Sequence, residues 1–370
     1  MPRIGIDARL TYYHKGGISR YIAHLIPELA RLDARDEYVI LHSRKDPASL
    51  ATGPRQRKVS CWTPSHHRLE RLALSAEVAP LGLDLLHSPD FIPPLWGLWK
   101  SVITIHDLSF LHFPETKDAA SQRYYNGQIH AAVARADAIL ADSEATRQDV
   151  ISLLGVPADK VTTVWAGIDA RFSPTSTAEI VRVRAAHNLP GEYILFVGTV
   201  EPRKNLEGLM RAYASLLLDL HDAPWLVIVG RRGWLNDPIH ALPSALGIAD
   251  RLQWIEDFPE DDLPALYSGA SALCLPSLYE GFGFPVLEAM ACGAPVVCSD
   301  RSSLPEIAGD AAILVDPDSP SSIEDGLRRA LTDRALTADL RQRGFAQAAR
   351  FTWAETGRKA LEVYRRVLGA

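Results

Sequence analysis

The chain has 370 residues, 47% hydrophobic and 23% charged, with a formal net charge of −6; these are the proportions of a soluble globular protein long enough for two domains. The acidic balance argues against a nucleic-acid partner, and no apolar run approaches the ~20 residues of a membrane span. The opening segment 3–9 reads as a strand rather than a secretion signal, and Cys61, Cys274, Cys292 and Cys298 fall at neither zinc nor redox spacing, so the reducing cytoplasm is the expected location.

In the first half, apolar runs predict strands over 3–9, 38–43, 83–88, 101–107, 138–143 and 160–165. Several are apolar throughout, as in a parallel sheet covered on both faces. Ile18, Ile22, Leu25, Ile26 and Leu29 recur at helical spacing and predict a helix over 18–32. Residues 1–172 carry 20 Lys+Arg against 19 Asp+Glu, whereas the remainder carries 19 against 26, so the acid is concentrated in the second half. Within 55–71, Arg55, Arg57, Lys58, Arg68 and Arg71 stand against Glu70 alone. That segment predicts either a solvated helix face or a peripheral contact with an anionic membrane at its inner surface, or with a lipid-diphosphate acceptor.

The stretch 167–177, with Pro174 and several hydroxyl residues, reads as a linker. Beyond it, strands are predicted over 193–199, 225–230, 252–255, 271–275, 295–299 and 311–315, and helices over 205–218 and 285–292. The C-terminus reads as helical over 319–368, with a break near Phe351-Thr352. Strand–helix alternation run twice predicts an α/β chain of two Rossmann-like, doubly wound parallel-sheet domains facing across a cleft, with ligands beyond the carboxyl ends of the strands. The expected division is 1–172 and 173–352.

Chemistry concentrates in Ser277-Leu-Tyr-Glu-Gly-Phe-Gly-Phe-Pro-Val-Leu-Glu-Ala-Met-Ala-Cys-Gly293. Glu280 and Glu288 stand eight positions apart around a glycine-rich turn. Pro285 suits the first turn of a helix, because its missing N–H would be unpaired there anyway. The amides of Phe282, Gly283 and Phe284 would then converge at an electropositive helix start, which holds anions. Amide donors for a phosphate beside two acceptors for hydroxyls suit a nucleotide-sugar. Phe196-Val-Gly-Thr-Val-Glu-Pro-Arg-Lys-Asn205 ends a strand at Gly198 and places Arg203 and Lys204 before a helix. Two cations there match a diphosphate and would stabilise the charge growing on a leaving nucleoside diphosphate, or they are solvated loop charges.

In Ser101-Val-Ile-Thr-Ile-His-Asp-Leu-Ser-Phe-Leu-His-Phe-Pro-Glu115, His106 and Asp107 fall at a strand's carboxyl end. His106 is either a catalytic group or a satisfied structural histidine. Gly16 and Gly17 follow the first strand, where glycine lets backbone approach a ligand or simply turns. Their spacing is not Gly-x-Gly-x-x-Gly, which weighs against a nicotinamide enzyme. Gly230-Arg-Arg-Gly-Trp234 and Asp257-Phe258-Pro259 end two further strands and either border a nucleotide or are ordinary loops. The Asp261-Asp262 pair opens a predicted helix rather than forming an Asp-x-Asp metal clamp.

The Glu280 to Glu288 segment, and nearly the whole chain with it, resembles the retaining GT-B glycosyltransferases of the Glu-x7-Glu type, family four. The resemblance implies that Glu280 contacts the donor sugar and Glu288 the ribose. It places Gly281, Phe282 and Gly283 around the diphosphate, with Lys204 as the phosphate-binding lysine. Many members carry an arginine directly after the glycine, where Thr199 stands here; Arg203 would supply the guanidinium instead. Thr199, Gly230, Asp257, Phe258, Gly16 and Gly17 would complete the donor site, with His106 reaching the donor sugar from the first domain. The His106-Asp107-Leu-Ser-Phe version resembles bacterial mannosyltransferases. The implied reaction is retaining transfer without metal or cofactor, from a nucleotide-sugar, GDP-mannose foremost and a UDP-sugar next, to a polysaccharide or lipid-linked oligosaccharide. The implied helix 353–370 packs back on the first domain. A sugar-nucleotide epimerase or a non-catalytic nucleotide-sugar binder on the same scaffold are the alternatives.

Overall fold

A computed structural model describes residues 1–13, 16–114, 119–231 and 237–369. The chain divides into two compact units, Met1–Gly167 with Phe351–Ala370, and Ile168–Arg350. The first is built on strands β1 (Arg3–Asp7), β2 (Glu37–Ser43), β3 (Gln56–Cys61), β4 (Leu85–Ser88), β5 (Lys100–Ile105), β6 (Ala138–Ala141) and β7 (Val161–Thr163), in the order β3-β2-β1-β4-β5-β6-β7. The second holds β8 (Tyr193–Val197), β9 (Trp225–Val229), β10 (Leu252–Ile255), β11 (Ala272–Leu275), β12 (Val296–Ser299) and β13 (Ile313–Val315), in the order β10-β9-β8-β11-β12-β13. All the pairings are parallel. In each sheet the order reverses beside the first strand of the unit, the switch point where doubly wound sheets open a crevice.

The central strands are buried on both faces, which is why their sequences are apolar without alternation. Five predicted strands run two residues too far: β1, β5, β6, β7 and β8 stop at Asp7, Ile105, Ala141, Thr163 and Val197. Among the residues beyond, Arg9, His106 and Thr199 leave the ladder to enter the loops at the carboxyl edge.

Two further expectations are corrected. The basic segment 55–71 is not one helix face. Its first half is β3, an edge strand whose charged residues sit where solvent reaches them. Its charges are dispersed: Arg71 is buried against Pro93 O at 2.9 Å, while Lys58 Nζ donates to Asp46 O and Ala48 O at 2.7 and 2.6 Å. The C-terminal helical stretch breaks twice, into Pro320–Thr332, Arg334–Ala348 and Trp353–Leu368. The unforeseen break is at Asp333, whose carboxylate leaves the helix to accept from Leu336 N at 2.9 Å.

Within the first unit, helix Trp353–Leu368 lies along helix Gly17–Leu32. The Trp353 ring stacks on His24 at 4.7 Å, and Tyr364 Oη is 2.6 Å from His87 Nδ1. Gly357 permits the approach, since a Cβ there would lie 3.1 Å from Glu28 Cβ. Among the described residues no helix is long and apolar enough to cross a membrane.

Candidate active site

In the second unit the site starts from two glycines. A Cβ on Gly230 would sit 1.8 Å from Gly198 O, so the ends of β8 and β9 pack backbone against backbone. Gly198 itself has φ +153°, strained for any other residue. Gly230 is therefore required by packing, whatever it does toward a ligand. Beyond Gly198 the chain passes exposed Thr199, then makes one tight turn over Pro202–Lys204. Asn205, left-handed at φ 54°, caps the helix Leu206–Asp219 through Gly208 N, and its Nδ2 donates to Pro276 O and Pro317 O. One side chain thus ties the β8 loop to the loops after β11 and β13.

That tie brings the charges together. Arg203 Nη1 lies 2.9 Å from both Tyr279 O and Glu280 Oε2, and Nη2 lies 2.6 Å from Glu201 Oε1. Lys204 Nζ is 2.5 Å from Glu280 Oε1, which also accepts from Ser277 Oγ at 2.8 Å. Glu201, Lys204 and Glu280 are all buried. Burial alone would raise the Glu280 pKa, but Lys204 and Arg203 beside it bring it down to about 2. Burial pushes Lys204 below the ordinary lysine range, partly offset by Glu280.

The glycine turn is fastened from behind. Glu280 N donates to Ser302 Oγ at 2.8 Å, and Ser303 Oγ lies 2.9 Å from Glu280 O and 2.7 Å from Phe282 O. Gly283 has φ +113°, and a Cβ there would meet Leu304 at 2.7 Å. Helix Phe284–Ala291 follows, with Pro285 in its first turn as its ring geometry predicts. Gly281 and Phe282 are buried in this turn. Glu288, one turn on, is buried and held at Oε2 by Tyr267 Oη, 2.7 Å away. The two glutamates thus have separate partners: cations for Glu280, a phenol for Glu288.

At the ends of β9 and β10, exposed Asp257 pairs with Arg231 at 3.1 Å, and the Phe258 ring packs 4.4 Å from His187. Of the Gly230–Trp234 motif, Arg232, Gly233 and Trp234 lie outside the described residues. Asp262 is spent on Arg182 and His187 at 2.5 and 2.7 Å.

In the first unit, His106 leaves β5 with both ring nitrogens engaged: Nδ1 is 2.5 Å from Asp142 Oδ2 and Nε2 is 2.7 Å from Pro89 O. Two acceptors require two N–H donors, so the ring is an imidazolium. Burial would lower its pKa, but Asp142 raises it to about 9. Both ring nitrogens of His106 are therefore engaged within the first unit, as in a satisfied structural histidine. Gly17 opens helix Gly17–Leu32; a Cβ on Gly16 would meet nothing within 4 Å, so that position borders open space. His14, Lys15 and Glu115 lie outside the described residues.

The sequence did not single out Glu201, Ser302, Ser303, Tyr267 or Asp142. Glu201 meets Arg203 within one loop, and the other four reach their partners from elsewhere in the fold; none stands in a local pattern that could have marked it.

The profile described as "Glycosyl transferases group 1" matches residues 178–347, and that described as "Glycosyltransferase Family 4" matches 15–172. The chain is 35% identical over 282 residues to "O-antigen chain mannosyltransferase B" of Escherichia coli, covering 76% of this chain and 74% of that one. The chain belongs to glycosyltransferase family 4. The enzyme is also 34% identical over 276 residues to "Serotype-specific mannosyltransferase WbdA" of Escherichia coli, covering 73% of its own length but 34% of that longer protein. Among solved structures, sucrose-phosphate synthase from Thermosynechococcus elongatus superposes with a TM-score of 0.79 at 20% identity over the full length of both chains. The fold of this glycosyltransferase is GT-B, and its class is hexosyltransferase.

Proposed function

We propose that the enzyme is a retaining glycosyltransferase that moves mannose from GDP-mannose to a hydroxyl of a polysaccharide or lipid-linked oligosaccharide, without a metal ion. The observation that carries this reading is the convergence of Arg203 and Lys204 on Glu280 beneath the glycine turn that opens a helix. The mannosyltransferase names of the Escherichia coli relatives support the sugar, and the O-antigen chain in one of them supports a glycan acceptor.

The donor's two phosphates compete with Glu280 for Lys204 and Arg203. Glu201 holds Arg203 from its other side, so the guanidinium stays in position while its partner changes. Glu280, with a pKa near 2, remains ionised and accepts hydroxyl hydrogen bonds from the sugar; it is far too weak a base to take a proton at neutral pH. The bond from C1 to the phosphate oxygen breaks as that from C1 to the acceptor oxygen forms on the same face. The departing phosphate oxygen takes the acceptor proton. Arg203, Lys204 and the start of helix Phe284–Ala291 stabilise the charge left behind, the work a divalent ion does elsewhere. Glu288 accepts from the ribose, and Asp257, Phe258 and Thr199 border the nucleotide. His106, an imidazolium on Asp142, positions the end of β5 as a fixed positive charge.

The test is a thermal-shift comparison of GDP, UDP and ADP, followed by transfer from GDP-mannose to an octyl α-mannoside with and without EDTA. A melting-temperature rise with GDP and an α-linked product that survives chelation are expected. A rise with UDP alone would move the donor to a UDP-sugar; a β-linked product would end retention.

A further inference from the structure

The sheet order of the first unit reverses at β1 and β4, so their carboxyl ends open the crevice of this fold. Ser88 is the last residue of β4 and is 2% exposed. Its Oγ finds no hydrogen-bond partner among the described residues. A buried hydroxyl without a partner is costly, so a group from outside the chain is expected to meet it. Ser88 lines a cavity of about 10 Å³ together with Asp7 from the end of β1, His66, Glu70 and Asp90, and aliphatic side chains close the remaining walls. That volume is room for a single oxygen.

The lining decides which kind of oxygen. Arg9 is not on the wall: its guanidinium is engaged by Asp7, Glu70 and Thr63 O at 2.7, 2.7 and 2.8 Å. His66 sits left-handed at φ 60°, a strained conformation held by its N–H on Glu70 Oε2 at 2.6 Å. Its Nε2 lies 2.6 Å from Asp90 Oδ2. Burial works against charge on Asp90, but the His66 hydrogen bond brings its pKa below the ordinary range, so it stays an acceptor. Three carboxylates against one imidazole repel a phosphate, and the volume is too small for a base or a sugar ring. A neutral hydroxyl fits: it donates to a carboxylate and accepts from Ser88 Oγ. The His66 and Asp90 side chains keep 24% and 17% exposure, so the pair is reached from solvent.

We propose that this cavity seats one hydroxyl of the carbohydrate acceptor, held by Ser88 and Asp90, with His66 positioning Asp90. The proposal rests on the reading that the enzyme glycosylates a glycan, and it names the side chains that select the acceptor. A sugar that lacks this hydroxyl, or carries it on the other face of its ring, leaves Ser88 and Asp90 without their partner.

The experiment is titration calorimetry of the full chain with octyl α-mannoside and its four monodeoxy analogues, with no donor present. One analogue is expected to bind about tenfold more weakly than octyl α-mannoside. In Ser88→Ala that one penalty should shrink to about twofold while those of the other analogues stay as they were. Asp90→Asn, of the same shape, should act on the same analogue. A change of packing alone would weaken all the glycosides together. Ser88→Ala removes one atom, so its melting temperature should stay within about 2 °C of the parent. The proposal is overturned if octyl α-mannoside does not bind, if all four analogues bind as it does, or if the penalty persists in Ser88→Ala; the cavity then holds a resident water only. The melting-temperature rise with GDP reports on the donor separately. Its absence beside the expected calorimetry would end GDP-mannose and leave the hydroxyl site standing.

Discussion

Lys204 Nζ and Glu280 Oε1 lie 2.5 Å apart, bridging 76 positions of sequence with both groups buried. Taking the charge from one leaves the other uncompensated out of water. Glu280→Gln keeps the shape and should lower stability by about 3 kcal/mol, less if Arg203 and Glu201 reorganise. Transfer should fall by roughly 100-fold or more, since a donor-sugar contact and the charge balance are lost together. Thermal melts and kcat/KM check both; normal turnover would remove Glu280 from the site.

The acid side of stability follows from the same pair. Glu280 has its folded pKa depressed from 4.5 to about 2. Its contribution is present above about 4.5 and is lost as pH falls toward 2. Melting temperature of the parent should drop across that window, and the drop should be shallower in Glu280→Gln.

Lys204 has its pKa lowered by burial. Transfer should therefore decline on the alkaline side at a pH below the ordinary lysine range, as the phosphate loses its cation. Lys204→Met should reduce kcat/KM by roughly 100-fold and abolish that alkaline limb in the pH–rate profile. A limb that persists in the variant belongs to another group.

The first unit should show the opposite dependence. His106 is raised from 6.5 to about 9 by Asp142, so its contribution is complete below about 6.5 and disappears as pH rises through 9. Asp142→Asn should lower the melting temperature at pH 6 and flatten its fall between pH 7 and 10. Unchanged alkaline melting in that variant would mean the imidazolium contributes nothing.

Gly230→Ala places a methyl group 1.8 Å from Gly198 O. The β8 and β9 ends must part, at a cost of about 3 kcal/mol. Because Lys204 lies against Gly198, with Nζ 3.8 Å from where a Cβ would be, donor affinity should fall with stability. Denaturant unfolding and nucleotide thermal shifts report the two effects separately.

The sequence by itself determined the two parallel sheets, because apolar runs without alternation have one stable use, a strand covered on both faces. It also determined the glycine turn and its helix, because Gly283 and Pro285 restrict the backbone locally. It located Glu280, Lys204 and Arg203 for the same reason: their signal is short-range. It did not reveal β3, whose charged edge residues lack the core pattern, nor the break at Asp333. Only the tertiary structure decided who holds whom. Tyr267 on Glu288, Asp142 on His106 and Ser303 beneath the turn are contacts between distant segments, and a charged side chain's partner depends on distances that no linear spacing encodes. Helix Glu70–Val78 shows the same limit: Arg9 draws Glu70 into the interior beside core residues Leu74 and Val78, while Leu72 faces water.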